Sequence, residues 1–501
     1  MRYLQIPLAV AATVMFAPTT TRAGIVPIFV DADATGDNNG SSWADAYTDL
    51  QTAMAVASNP AEIWVAEGVY LPDQADDTKT FVLENGVSVL GGFAGSETAR
   101  DQRDPSAHRT VLSGSIDGGN VQSDTIIDAT TVGPTAVLDG FEISGSDGGS
   151  GAGSAILVGD GGPALRNLLV RSNSSSGSGA GMWIANGQPI VEDSVFSGNV
   201  ALYGGAVSNA GGKPVFRGVS FIGNAARDAG AFGQFGNDGA PEFEDARFVG
   251  NTAASSGGAI WFESSSKPSL RKTLFLDNHG AEGGAVYDQG ADSFYENVTF
   301  SRNSSTAGGG AIFFDELNGS QELVNITVAG NRASTGGAFY NRESSPHIRN
   351  SIAWDNGSTP IVEEPTGGSL TLVRSLLQGG CVTGTTCDPS DILVTDPGLL
   401  DLSENGGFAE SHGFQYTSPA VDAGDNNGWS SSYNATPGDT IEVRLDGQLE
   451  DGIPVRLSCG LPGGVPLLSD VSYGDLSGPA HGRLVDVDLQ AGTFTYVLLK
   501  R

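Results

Sequence analysis

The sequence runs to 501 residues and sets 58 Asp and Glu against 25 Lys and Arg, a formal net charge of −33. Nucleic acid is excluded as a partner, because binding a phosphate backbone needs a basic face that releases counterions. With 72 glycines and an apolar share of 39%, the chain is rich in turns yet can bury a core. Its wealth of Val, Ile, Phe, Thr and Asn over helix formers predicts an all-β protein.

Taken in chain order, Arg2, an apolar run over 4–17, and the small residues Thr21 and Ala23 before Gly24 read as a secretory signal peptide, residues 1–23. No later run reaches the roughly 20 apolar residues of a membrane-spanning helix. The expectation is an exported monomer, extracellular or at the cell surface and peripheral to a membrane at most. Residues 44–57, ADAYTDLQTAMAVA, place Ala46, Leu50, Ala53, Met54 and Ala57 at helical spacing. Because the end of a stacked array exposes core, this helix is expected to cap it. Short apolar runs follow at Ile63 to Val65, Val87 to Leu90, Val111-Leu112, Ala136 to Leu138, Ala155 to Val158 and Ile190-Val191.

From Phe196 onward a repeat takes over. FSGN begins at Phe196, FIGN at Phe221, FVGN at Phe248, FLDN at Phe275 and FSRN at Phe300, with weaker copies at Val328 and Ala353. A second phrase keeps the same period near 26: GGAV at Gly204, AGAF at Ala229, GGAI at Gly257, GGAV at Gly283, GGAI at Gly309 and GGAF at Gly336. Each unit holds short apolar runs separated by Gly, Asn, Asp and Ser, which is strand and turn chemistry. Such a unit buries its apolar face only by stacking on its neighbours. The prediction is a parallel β-helix over residues 24–374, with about fifteen rungs counting the last ones over 375–430, at ~4.8 Å per rung. Phe196, Phe221, Phe248, Phe275 and Phe300 then form an interior aromatic ladder. Asn199, Asn224, Asn251, Asn278, Asn303, Asn331 and Asn356 form a hydrogen-bonded ladder at one bend, asparagine being suited to a left-handed turn.

The GGA phrases also align Trp261, Tyr287, Phe313 and Tyr340, which strand alternation points outward. Stacked outward aromatics offer a flat platform for sugar rings, or simply stabilise the sheet by packing on one another. Glu263 and Asp315 fall at equivalent positions two rungs apart, with Gln289 between. Their separation of ~9.6 Å, twice the strand spacing, sits at the edge of the range for an inverting glycosidase. Acids at Asp31, Asp33 and Asp37, and at Asp422 and Asp425, gather oxygen ligands of the kind calcium takes, but neither group follows the twelve-residue loop. No cofactor is expected. The five histidines, His108, His279, His347, His412 and His481, stand without partners at motif spacing and read as solvated turn residues. Cys381 and Cys387 are expected to form a disulfide that pins one small loop.

The opening VDADATGDNNGSSWADAYTDLQTAMAVA, with IWVAEGVYLP and SVLGGFAGSE, resembles the start of bacterial right-handed parallel β-helix repeat proteins. The GGA and FxxN phrases resemble repeats of chlamydial polymorphic outer membrane proteins. The stretch from Ser375 to Asn426 is similar to the choice-of-anchor Q domain of exported bacterial proteins. These resemblances imply a surface or secreted protein, with adhesion proposed for some members and no chemistry shared by the group. A C-terminal run of alternating strands of the kind that builds an outer-membrane barrel is not seen. Over 431–501, Thr440 to Leu445 and Phe494 to Val497 read as strands of a small β-sandwich resembling immunoglobulin-like or cadherin-like modules. Two functions follow: adhesion or recognition of an extracellular glycan or cell-surface ligand, and a polysaccharide lyase or glycoside hydrolase on the same scaffold.

Overall fold

A computed structural model describes residues 25–420, apart from 120, 150–153, 237, 317–318, 366, 404, 406–407 and 415–417, together with strands at 455–458, 482–488 and 493–498. The signal-peptide segment, Asp422, Asp425, Cys459, His481 and the strand expected at 440–445 lie outside the described residues.

One coil shows how the repeat dictates its path. The strand Glu242–Glu244 ends at Asp245, whose left-handed φ of 51° turns the chain into Arg247–Val249. Gly250, at φ 63°, turns it again, and Asn251 opens a longer turn that closes at Gly257, φ 69°. The strand Ile260–Phe262 then leads to the next coil at Ser269–Arg271. Stacking these coils builds three parallel sheets along one axis, of 14, 12 and 11 strands, with a short fourth sheet of four strands in the long turn. Thirteen spacings of ~4.8 Å make the longest sheet about 60 Å tall. The protein is a right-handed parallel β-helix, the hand that parallel crossovers take.

Inside, the FxxN phenylalanines pair rung to rung in register. Their rings stack at centroid separations of 5.3, 4.6, 4.9 and 4.8 Å, all fully buried. The asparagine ladder forms as well. Asn251 donates Nδ2 to the carbonyl of Phe221 and to Asn278 Oδ1, each at 3.0 Å, while its Oδ1 accepts from the N–H and the Nδ2 of Asn224, each at 3.0 Å. One detail of the expectation is corrected: the left-handed residue at this bend is the one before each asparagine. Gly198, Gly223, Gly250, Asp277, Arg302, Gly330 and Asp355 carry the positive φ. The asparagines serve instead as buried connectors of backbone that no strand pairs.

The GGA phrase divides its work similarly. Its first residue takes positive φ, and Ala229 does so at 60° where the other copies have glycine. Its second faces the backbone of the next coil, so that a Cβ on Gly258 would come within 2.0 Å of the Gly284 carbonyl. The alanine and the apolar residue that follow enter the core.

At the start of the β-helix the helix is shorter than expected. It spans Leu50–Val56, with Asp49 as its N-cap, Oδ2 accepting from the N–H of Thr52 at 2.9 Å. Residues before the cap extend the first sheet instead, Tyr47 pairing with Val30. The helix buries Leu50, Ala53 and Met54 against Ile28–Val30, Ala61–Ala66 and Phe81–Val82, the first strands of the first and third sheets. At the other end Cys381 and Cys387 form a disulfide with Cα atoms 5.8 Å apart.

On the outside of the first sheet one row alternates in sign: Asp139, Arg166, Glu192, Arg217, Glu244, Arg271 and Glu296. Its pairs include Arg166–Glu192 at 2.8 Å and Arg271–Glu296 at 3.1 Å. The described residues fall into two compact units, one holding the β-helix up to residue 395 and a second holding the strands at 455–458, 482–488 and 493–498. In the second, Thr493–Leu498 pairs antiparallel with both Val455–Ser458 and Gly482–Asp488.

Candidate functional site

The outward row of the third sheet carries the groups with the most chemistry. Register places Trp261 beside Tyr287, Tyr287 beside Phe313, and Phe313 beside Tyr340. The expected open platform of four rings is corrected by their packing. Tyr287 and Phe313 are only 6% and 2% exposed, while Trp261 and Tyr340 are half-buried. Phe313 stacks on Tyr340 at 4.7 Å and 13°, and Tyr287 on Phe313 at 5.3 Å and 21°. Those separations match the rung spacing, so ring faces are used on each other and edges look outward. Trp261 alone is turned, at 87° to Tyr287 and 84° to Phe235.

Arg342 organises the polar part of this face. It donates Nε to Asp315 Oδ1 at 2.8 Å and Nη2 to Asp315 Oδ2 at 2.5 Å, reaches Tyr287 Oη at 3.3 Å, and lies 4.9 Å from the centre of the Phe313 ring. Glu282 stands 3.7 Å from the same guanidinium. Tyr287 donates its hydroxyl to Asp315 at 2.6 Å, and Tyr340 donates to Glu364. Burial pushes the Asp315 carboxyl up, but the hydrogen bonds from Arg342 and Tyr287 and the guanidinium charge outweigh it and hold Asp315 below the usual carboxylate range. Burial, reinforced by the Asp315 carboxylate, raises Tyr287; burial and Glu364 push Tyr340 up to about 12.

These pairings decide what the two candidate acids can do. Glu263 accepts from the backbone N–H of Gly236, and Gln289, in the rung between, donates to Glu316 at 2.6 Å. Asp315 is an ionised partner of Arg342. A glycosidase acid needs a carboxyl held above its ordinary value, and Asp315 is shifted the opposite way. Arg342 itself was legible: it follows Glu263, Gln289 and Asp315 in one aligned row, and an Arg after an Asp there forecasts a cross-rung pair.

The other sequence candidates disperse. His108 and His347 pair with Glu67 and Glu322 at 3.1 and 2.9 Å. His279, His347 and His412 lie in strands, against the expected turns. Asp31 accepts from the N–H of Asp33, closing its own turn, and Asp37 donates its N–H to Asp45. Among the described residues no group of three or more His, Cys, Asp or Glu side chains is placed to hold a metal, and no helix is long and apolar enough to cross a membrane.

A family model for the Chlamydia polymorphic membrane protein (Chlamydia_PMP) repeat matches residues 245–263 and 297–315. Each match runs from the left-handed turn residue through the FxxN and GGA phrases to Glu263 or Asp315. No curated protein sequence matches the chain. Among solved structures, pectate lyase Pel9A is similar at 15% identity and a TM-score of 0.37, over 75% of this chain and 84% of that one. A rhamnogalacturonan lyase is similar at 10% identity and a TM-score of 0.29, over 76% and 92%. On its own coordinates the chain is a parallel β-helix protein, and two of its coils are similar to the Chlamydia polymorphic membrane protein repeat.

Proposed function

We propose that this is an exported surface protein that recognises an extracellular glycan or cell-surface ligand without chemical turnover. The observation that carries the reading is the repeat match. Its two segments carry Trp261 and Phe313, and the family it names is one of membrane proteins. The third sheet's outer face supports it further. Trp261 and Tyr340 offer partly exposed aromatic surface at the two ends of the stack, and Glu263, Gln289, Glu316 and Glu364 beside them carry hydrogen-bonding atoms suited to sugar hydroxyls. Commitment of Asp315 to Arg342 weighs against acid and base catalysis on the same face.

The test is a glycan array together with a cell-binding assay, run on the wild type and on Trp261→Ala and Tyr340→Ala variants of unchanged melting temperature. Binding that falls at least tenfold in either variant supports recognition at this face. Unchanged binding overturns the assignment, and so does release of reducing ends or unsaturated sugars from a polysaccharide panel that stops in Glu263→Ala. Export is tested by cell fractionation with surface proteolysis, and by an N-terminus at Gly24 in the mature protein.

A further inference from the structure

The inner row of the third sheet runs Asn209, Gln234, Phe262, Asp288, Phe314, Asn341 and Glu363, and of its two carboxylates Asp288 is the one fully sealed. Asn209 closes the corner to the first sheet, its Oδ1 accepting from the N–H of Gly212 at 3.0 Å and its Nδ2 donating to the carbonyl of Gly212 at 2.9 Å. Asn341 does the same with Ser344, at 3.1 and 2.9 Å. Asp288 occupies the same row between Phe262 and Phe314. Its Oδ1 accepts from the N–H of Ala291 at 3.0 Å, but it has no amide to give the Ala291 carbonyl, and Gln321 of the next rung donates there instead at 3.1 Å. Oδ2 accepts from the hydroxyls of Ser293 at 2.6 Å and Tyr295 at 3.3 Å.

All four side chains are sealed, none more than 1% exposed. No cation among the described residues faces them. Tyr287 and Asp315 look outward, Glu296 pairs with Arg271 outside, and Asp292 receives the N–H of Ser320 at the surface. Tyr295 is the other titratable group turned toward Asp288. Gln321, whose side chain also lies against Asp288 and there works with Ser293, Ala291 and Tyr295 to hold the carboxyl down, leaves its Oε1 buried without a donor. An unpaired carboxylate and an unmet acceptor are each costly in a sealed interior, and one proton relieves both.

We propose that Asp288 is the neutral acid in the folded rung, its O–H given to Gln321 Oε1, making this corner a proton-binding latch that tightens in acid. Burial outweighs the hydrogen bonds from Ser293, Ala291, Tyr295 and Gln321 and pushes the Asp288 carboxyl up to about 6 from an ordinary 3.8. The folded chain therefore binds more protons than the unfolded one between those values. The stabilisation is complete below pH 3.8 and is lost as the pH rises through 6. This proposal is independent of what the outer face binds.

The test compares urea unfolding of the full chain and its Asp288→Asn variant, which copies Asn209 and Asn341, from pH 4 to pH 7.5. The ratio of folding constants, variant over wild type, is expected to rise about 100-fold across that range, the equivalent of two pKa units. Carboxyl-labelled aspartate observed by carbon NMR gives a second reading on the wild type alone: one aspartate titrating near pH 6. A constant ratio, or labelled aspartates that all titrate below pH 5, overturns the proposal.

Discussion

Replacing Asn251 by alanine tests the ladder where the structure makes it most explicit. The change removes two hydrogen bonds donated by the amide, to Phe221 and Asn278, and two accepted from Asn224. Asn278 Oδ1 keeps the backbone N–H of Asn251 at 2.9 Å, and the Phe221 carbonyl keeps its place in the strand ladder, so two buried donors are orphaned: the Asn224 N–H and one Asn224 amide hydrogen. Each orphan costs about 1–3 kcal/mol, and because Asn224 still donates to Phe196 the low end applies, giving about 2–4 kcal/mol in all. Asn251→Asp sharpens the test. A carboxylate keeps both accepted bonds but faces two acceptors, so its cost is largest at neutral pH and shrinks as acid protonates it. Urea unfolding followed by circular dichroism gives the stability. Hydrogen exchange then shows whether the loss is centred on the flanking coils, as nearest-neighbour stacking requires. If Asn251→Ala lies within about 0.5 kcal/mol of the wild type, the ladder is not what holds these turns.

Phe248→Ala is expected to cost about 3–5 kcal/mol, since its ring is fully buried between Phe221 and Phe275; thermal melts at matched concentration measure it. Ala229→Gly should be within about 1 kcal/mol of the wild type, because the relief of an alanine at φ 60° is offset by the entropy that glycine gains on unfolding and by the loss of a fully buried methyl; a loss above about 2 kcal/mol in urea unfolding would contradict the relief of turn strain. Removing residues 193–217 takes out Arg217 and sets Glu192 against Glu244 in the outer row. Glu244→Gln should then stabilise the shortened chain while leaving the full-length chain unchanged or weaker, a reversal of sign read by the same urea titration.

The repeat made the fold legible because stacking forces equivalent residues into columns. Once Phe196, Phe221 and Phe248 recur with an Asn three residues on, little except a coil per repeat satisfies both. Asn173 went unread although it heads the asparagine ladder, donating to Asn199 Oδ1 at 3.0 Å. The phrase there is VRSN, and the stack of rings gives way to Val170. The helix start was misplaced because Ala46 satisfies helical spacing and also fits a buried turn, and only the cap at Asp49 distinguishes them. The outer aromatics were seen to align, but alternation says which side of a sheet a ring leaves from. It does not say that rings one rung apart turn edge-on and cover each other, as Phe313 and Tyr340 do.

Columns that make a solenoid easy to recognise also make it easy to misassemble, because a coil presenting Phe, Asn and GGA can stack on the wrong neighbour with nearly the same core. Register in such a chain has to come from positions that differ between rungs. Three rows supply them. In the outer row of the first sheet, a slip by one rung brings like charges together while a slip by two restores the alternation, so this row rejects odd errors only. Each exposed pair is worth at most about 1 kcal/mol, yet a slip mispairs the whole row at once. Even slips must be rejected in the interior. There the Asp288 corner requires Gln321 from one particular following rung, and Asn209 donates to Gln234 of the next. Outside, Asp315 requires Arg342. Moving any of these partners by two rungs leaves a buried donor or charge unmet, a larger penalty than a surface row can impose. The irregular residues of these rows specify where each coil belongs, and the regular ones supply the stability once it is there.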